Sequence, residues 1–401
     1  MLPSMYSDFP DHSDAKGFLM QTRKHLPLDG LRVIAIEQAV AAPFCSSRLA
    51  DAGAEVIKIE RPEGDFARGY DDVVAGGQSS YFVWLNRGKT SLVIDLASEE
   101  GKETLADLLS SADVLVQNLK PGALDRLGFG PEILRGRHPR LIVCSISGYG
   151  ETGPLSDRKA YDLLIQAESG LSSVTGGPEA PARVGISVVD IATGMTAYSA
   201  ILEALLDRSA NDHGADIRVS MFDVMADWLT VPLLHYEGGR PTKRIGMAHP
   251  SIAPYGVFAT KDGKEVLISI QSDREWCKFC TEFLSQPEKG NDPLFARNVS
   301  RVANRAATDA LVASAFSRRE GSEVITLLQK ADIAFASVND MAALSSHPHL
   351  RRITVDTAAG PVSHPAPAPI FVSRPRRYGP VPALGDGNLE RERAMGTSAQ
   401  G

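Results

Sequence analysis

The chain has 401 residues, too many for one typical hydrophobic core and suited to about two domains. Hydrophobic residues make up 43% and charged residues 23%, which excludes a disordered or fibrous chain. A net charge of −7 argues against a broad nucleic-acid footprint, no apolar run is expected to cross a bilayer, and four cysteines are too few for a disulfide scaffold, so a reducing cytoplasm is the expected compartment.

Residues 1–25 are polar and turn-rich, without the apolar stretch of a signal peptide, and are read as an N-terminal extension. Short β-branched runs then alternate with helical patterns. Strands are expected at 31–37, 55–60, 91–96, 113–118 and 140–147, with helices at 44–52, 98–111 and 122–127 between them. That alternation predicts βαβ units and a largely parallel sheet. Helices follow at 161–171, 190–207 and 221–236. The stretch HYEGGRPTKRIGMAHPSIAP is broken by Gly and Pro and reads as a long loop. Beyond it, Asp262-Gly263 between apolar runs at 255–260 and 265–271 signals a hairpin. Helices are expected at 273–283, 307–317 and 321–330. The organisation read from this is a large domain over 26–225, a smaller α+β domain over 226–330, and a C-terminal segment over 331–401 that returns to the large domain.

Several groups carry possible chemistry. Residues 148–153 spell GYGETG after a predicted strand, but Pro154 follows and no helix opens inside the motif. A dinucleotide fingerprint needs that helix, and it belongs to the first βα turn, so the motif is read as a loop whose backbone approaches some ligand. Cys277 and Cys280 have no second ligand pair nearby and are read as half-buried thiols, with no metal expected. His249 is a lone loop histidine. Lys58, Arg61, Arg87, Lys89, Arg126 and Lys159 lie near strand ends, where open α/β sheets bind ligands; they form either a solvated rim or a polyphosphate cradle. Among the carboxylates, Asp162 and Asp190 stand where helix caps are expected, and Glu179 sits in the turn-rich TGGPEAP loop.

Six segments in this order resemble the family III CoA-transferases, the group that includes formyl-CoA transferase and carnitine CoA-transferase. They are LPLDGLRVIAIEQAVAAPFCSSRLADAGAEVIKIERPEGD, NRGKTSLVIDL, ADVLVQNLKPGALDRLGFG, ISGYGETGPLSDRKAYDLLIQAESGL, TGGPEAPARVGISVVDIATGM and the loop ending AHPSIAPYGVFATKDG. The resemblance implies an α/β fold with a Rossmann-like large domain made from both chain ends, a smaller domain, and an interlocked homodimer. It implies that Asp190, in the D-x-x-T-G string 190–194, is the catalytic nucleophile, and that coenzyme A or its acyl thioester is the substrate, with no metal. By the same resemblance Arg61 binds the adenosine end of CoA, and Leu96, Ala97, Asn118 and Leu119 line the adenine region. Arg126 and Lys159 face phosphates, Val40 lies near the pantetheine, and Lys89 and Tyr149 are weaker correspondences.

Two departures from the family pattern bear on substrate. Formyl-CoA transferase has Gln where this chain has Val40, and a glycine run over the site where this chain reads Met247-Ala248-His249-Pro250-Ser251. Both speak against formyl and oxalyl substrates and bring His249 toward the substrate. The strings AIEQAVAAP and VGISVVDIATGM resemble members acting on small dicarboxylic acids, which implies succinyl-CoA as donor and an acid such as itaconate, mesaconate, malate or citramalate as acceptor, or an intramolecular mesaconyl-CoA transfer. The alternative is a 2-methylacyl-CoA racemase of the same fold. Racemases pair a His with the Asp; the corresponding position here is Tyr161, before Asp162, so half of the proton-transfer pair is missing.

Overall fold

The computed structural model describes residues 26–388, so the expected N-terminal extension lies outside the described residues. Six parallel strands form the main sheet: β1 (Arg32–Ile36), β2 (Glu55–Glu60), β3 (Lys89–Val93), β4 (Val114–Gln117), β5 (Ile142–Ser147) and β6 (Asp216–Ser220), in the order β3-β2-β1-β4-β5-β6. The chain leaves β1 toward β2 on one side and restarts at β4 on the other. The carboxyl ends of β1 and β4 therefore flank the crevice where doubly wound sheets bind ligands.

The strand sequences explain the layering. In β1, Val33 and Ala35 point to one face, Ile34 and Ile36 to the other, and these four are buried. The first face carries small side chains (Ala35, Cys144, Val116) and packs against helix Ala41–Asp51 through Ala41, Ala42 and Cys45. The second face carries Ile34, Ile36, Ile57 and Ile59 and packs against Leu105 and Leu109 of helix Glu99–Ser110. Ser98 caps that helix by accepting from the Gly101 N–H at 3.0 Å.

Helix Val188–Asn211 crosses helix Ala41–Asp51 at Gly194. A Cβ there would lie 2.5 Å from the Ala41 carbonyl and 2.9 Å from the Phe44 Cβ, so only glycine admits the crossing. This helix is long and apolar enough, by length and composition, to span a membrane, which corrects the expectation that no segment reaches that threshold. Here one of its faces, with Val189, Ala192, Ala197 and Ile201, belongs to the core of the sheet.

After the loop that follows helix Thr230–Glu237, β7 (Tyr255–Ala259) and β8 (Glu265–Ser269) form the expected antiparallel hairpin. A short strand, β9 (Ala334–Ser337), pairs with β8. The unit around this sheet therefore runs past residue 330, where the sequence reading ended it. Its core is aromatic: Trp276, Phe279, Phe283 and Phe316 are fully buried. A separate ribbon, β10 (Arg352–Thr357) with β11 (Gly360–Pro365), follows. The chain then lies along the edge strand β3, where Gly387 N–H donates to Ser91 O at 3.0 Å and Asn388 accepts from Val93 N–H at 2.9 Å.

Two differences from the sequence reading have local causes. The edge strand β6 alternates Asp216, Ile217 and Arg218, and Arg218 is spent on Asp216 and Glu151, each at 2.8 Å. The stretch 221–236 is two helices, Met221–Trp228 and Thr230–Glu237, joined at Leu229.

Candidate active site

The loop after β1 is held from below and from the side. Asn118, just past β4, grips Gln38 twice: it accepts from the Gln38 N–H at 3.0 Å and donates to the Gln38 carbonyl at 2.8 Å. Asp65 accepts from the Ala39 N–H at 3.1 Å, and Ala39 sits at φ 65°, a left-handed conformation uncommon for alanine. Beneath them lies a buried ionic cluster. Lys58 reaches Asp65 at 2.8 Å and Glu37 at 3.5 Å, while Lys89 reaches Glu37 at 2.6 Å. Burial lowers the Lys89 pKa to about 8 against the pull of Glu37. Glu60 meets Arg68 at 2.7 Å and accepts from Ser91, which hold it ionised down to about pH 2 despite its burial. Lys58 and Lys89 are therefore structural counter-ions with no exposed surface, and Arg87 is likewise buried against Asp51. None of the three lines either of the two cavities described next, and being buried they form neither the solvated rim nor the polyphosphate cradle between which the sequence left the choice.

Two adjoining cavities open at this loop. The larger, about 670 Å³, is lined by Val40, Asn118, Leu119, Arg126, Lys159 and Asp190 among others. The smaller, about 290 Å³, is lined by Arg61, Leu96, Ala97 and Leu119. Gln38 and Leu119 belong to both. The nine site residues inferred from the sequence thus line one or other of two cavities that share Gln38 and Leu119 near the β1/β4 switch point. Asn118 differs in detail: it lines the larger cavity and spends its amide on the Gln38 backbone.

Neither Asp162 nor Asp190 stands at the cap of its own helix, where the residue pattern places both. Asp190 occupies the third position of helix Val188–Asn211 and is not its cap. The cap is Asp162, whose Oδ1 accepts from the N–H groups of Val189 (2.7 Å) and Asp190 (3.3 Å). Its Oδ2 accepts from Gln166 at 2.7 Å. Asp162 is thereby occupied, whereas the Asp190 side chain has no hydrogen-bond partner among the described residues and lines the cavity. Burial, and secondarily the Asp162 charge, push the Asp190 pKa from 3.8 to about 7. Two further letters of the motif are structural: Thr193 is buried and bonds back to Val189 O at 2.7 Å, and Gly194 admits the helix crossing. A carboxylate so placed is more basic than a free one and faces the cavity without a competing hydrogen bond. Phe66, Tyr70 and Tyr81 form an aromatic wall of the same cavity, with ring centroids 5.6 and 5.4 Å apart along the series.

The model of CoA-transferase family III matches residues 28–388. The chain belongs to that family. Among relatives, an acetyl-CoA:oxalate CoA-transferase of Acetobacter aceti is 38% identical, covering 80% of this chain and 83% of its own length. A succinate–glutarate CoA-transferase of Agrobacterium fabrum is 33% identical, covering 90% of this chain and 93% of its own. The crystal structure of a CaiB/BaiF family protein from Brucella suis superposes with a TM-score of 0.78 at 33% identity, covering 92% of this chain and 100% of that one.

Seen as a family III CoA-transferase, the remaining candidates sort clearly. Gly148 of the GYGETG loop lines the larger cavity, and the next cavity-side helix opens only at Asp162, so the loop is not a dinucleotide turn. Tyr149 packs on Phe222 at 6.0 Å and lines neither cavity. Glu179 is exposed in its loop, away from both. His249 stacks on Tyr255 with centroids 5.3 Å apart, and its Nδ1 accepts from the Ser251 N–H; it also lines neither cavity. No histidine lines the Asp190 cavity among the described residues. Cys280 is buried and Cys277 is exposed rather than half-buried, and no group of metal-ligating side chains occurs among the described residues. Sequence reasoning passed over Gln38, Tyr161, Arg183 and Ser187, which also line the larger cavity. Only the position of Gln38 and Ser187, just before the residues already singled out, marked them in advance.

Proposed function

We propose that this chain moves CoA between small dicarboxylic acids, with Asp190 as the covalent nucleophile. The observation that carries this is the unpartnered, half-buried Asp190 carboxylate that lines the larger cavity, its pKa raised to about 7. One Asp190 oxygen attacks the donor thioester carbon, and the C–S bond breaks to release CoA thiolate and leave a mixed anhydride. The thiolate then attacks the Asp190 carbonyl of that anhydride, freeing the donor acid as a carboxylate and leaving an Asp190–CoA thioester. The acceptor carboxylate attacks this thioester and expels CoA thiolate, giving a second anhydride; the thiolate then attacks the acceptor carbonyl of that anhydride, forming the new acyl-CoA and releasing Asp190 as a carboxylate. Each tetrahedral oxyanion needs donors. The N–H of Ala41, in the first turn of its helix where no backbone carbonyl is in reach, is available at the cavity wall. The aromatic wall helps exclude water, which would hydrolyse the anhydride.

The CoA moiety runs from Arg61, Leu96 and Ala97 in the smaller cavity, past Leu119, to Val40 and Asp190 in the larger, with Arg126 and Lys159 facing its phosphates. Relatives named for succinate–glutarate and for oxalate transfer support a dicarboxylic acid class. Val40 and the AHPS loop favour the four- to five-carbon acids over oxalate. We also infer a cytoplasmic homodimer; the exposed apolar series Trp228, Val231, Leu234 and Tyr236 suits a partner chain. A screen of CoA donors against acid acceptors, read by mass spectrometry, tests the substrate class. Succinyl-CoA with glutarate, mesaconate or itaconate is expected among the fastest pairs. Transfer confined to monocarboxylic acids, or to formate and oxalate, would contradict it.

A further inference from the structure

The larger cavity holds a cation that none of the CoA contacts accounts for. Arg183 lines it, seven positions before Asp190 and on the segment that leads directly into the Asp190 helix. Its guanidinium makes no ion pair among the described residues; Nε donates to the Val184 carbonyl at 3.2 Å, which leaves both terminal nitrogens without a partner. Arg158, another cation of this cavity, is by contrast engaged by Glu168 at 3.2 Å.

The backbone that carries Arg183 is fixed to the nucleophile. Gln166 is fully buried, and its Oε1 accepts from the Val184 N–H at 2.8 Å. Its Nε2 faces the carbonyls of Val184 and Ile186 at 3.5 and 3.4 Å and donates to Asp162 Oδ2 at 2.7 Å. Asp162 in turn holds the N–H groups of Val189 and Asp190. One clamp, Gln166 with Asp162, therefore holds both the backbone of Val184, next to Arg183, and the Asp190 backbone. Arg183 makes no ion pair with Asp190, and Asp190 responds to burial and Asp162. Leu163 and Ser187 line the same cavity and offer a partly apolar wall for a methylene chain.

We propose that Arg183 binds the second carboxylate of the dicarboxylic acid whose first carboxylate reacts at Asp190, and so selects dicarboxylic over monocarboxylic acyl groups. This rests on the transferase reading given above. A planar guanidinium whose two terminal nitrogens are free still presents one N–H edge, which suits a carboxylate held bidentately.

The test measures kcat/KM for glutarate and for valerate, its monocarboxylic counterpart, as acceptors with one fixed donor. It compares the native enzyme with Arg183→Gln and Arg183→Lys, each checked for folding by circular dichroism and for CoA binding by calorimetry. The glutarate-to-valerate ratio is expected to fall at least tenfold in Arg183→Gln, chiefly through KM, with partial recovery in Arg183→Lys. An unmoved ratio, or equal losses for both acids, overturns the assignment. A native enzyme that transfers CoA but prefers valerate overturns the substrate class itself, before any variant is made.

Discussion

Replacing Asp190 with asparagine should abolish transfer and, at alkaline pH, stabilise the fold. The native aspartate binds its proton up to about pH 7, against 3.8 for an unperturbed group, because burial and the Asp162 charge disfavour the anion. Between these values the folded chain holds a proton that the unfolded chain has released, so this group's contribution to stability declines as pH rises from about 4 to about 7. Above that window the full penalty applies. Three pKa units at about 1.4 kcal/mol each set an upper limit of about 4 kcal/mol. Residual solvent contact and protein relaxation reduce it, and about 1–3 kcal/mol is the expected gain for Asp190→Asn at pH 8.5. At pH 4 the two proteins should differ little, since both carry a neutral side chain there. Urea denaturation of both proteins at pH 4, 5.5, 7 and 8.5 gives the difference directly, and other titrating groups cancel in it. A variant that is no more stable than the native protein at pH 8.5, or whose advantage is the same at every pH, would refute the reasoning that burial raises this carboxylate.

The same pKa governs rate. The acid limb of kcat/KM for the acyl-CoA should turn near pH 7, activity falling below it as Asp190 protonates, and a flat profile from pH 6 to 8 would contradict this. Gly194→Ala forces a Cβ to 2.5 Å from the Ala41 carbonyl; denaturation should show a loss of about 1–3 kcal/mol, accompanied by a drop in activity because Ala41 lines the cavity. Arg61→Ala should raise the KM for CoA thioesters about 10- to 100-fold, the worth of a charge-assisted contact, with kcat little changed. With dephospho-CoA thioesters the native and Arg61→Ala enzymes should converge, and a persistent difference would move Arg61 away from the adenosine phosphate.

Much of this architecture is legible because the strands of a buried parallel sheet are short β-branched runs. Val33-Ile34-Ala35-Ile36 and Val56-Ile57 announce themselves, as do the helices between them. The edge strand β6 does not, because Asp216 and the exposed Arg218 interrupt its apolar run with charge. β9 is missed for a related reason: Ala334-Phe335-Ala336-Ser337 is too short and bland to signal pairing with β8. Charge is the least legible property. Lys58, Arg87 and Lys89 look like the other cations in the sequence, yet they are buried counter-ions, whereas Arg61, Arg126 and Lys159 line the two cavities. Only tertiary packing separates the two groups. Asp162 and Asp190 also look interchangeable as caps. The distinction arises because Asp162 reaches across to a helix 26 positions downstream, leaving Asp190 without a partner. Arg183 lies in a proline-rich stretch without periodicity, and its relation to Asp190 exists only through buried Gln166.

The covalent role of Asp190 is tested most directly by trapping. The enzyme is mixed with an acyl-CoA in the absence of acceptor, treated with borohydride, digested and analysed by mass spectrometry. The Asp190 thioester should be reduced in place, so that the peptide spanning 188–194 carries homoserine in place of Asp190 and activity is lost in parallel. Reduction at another carboxylate, or an unmodified Asp190 in enzyme that still turns over through a covalent intermediate, would contradict the account.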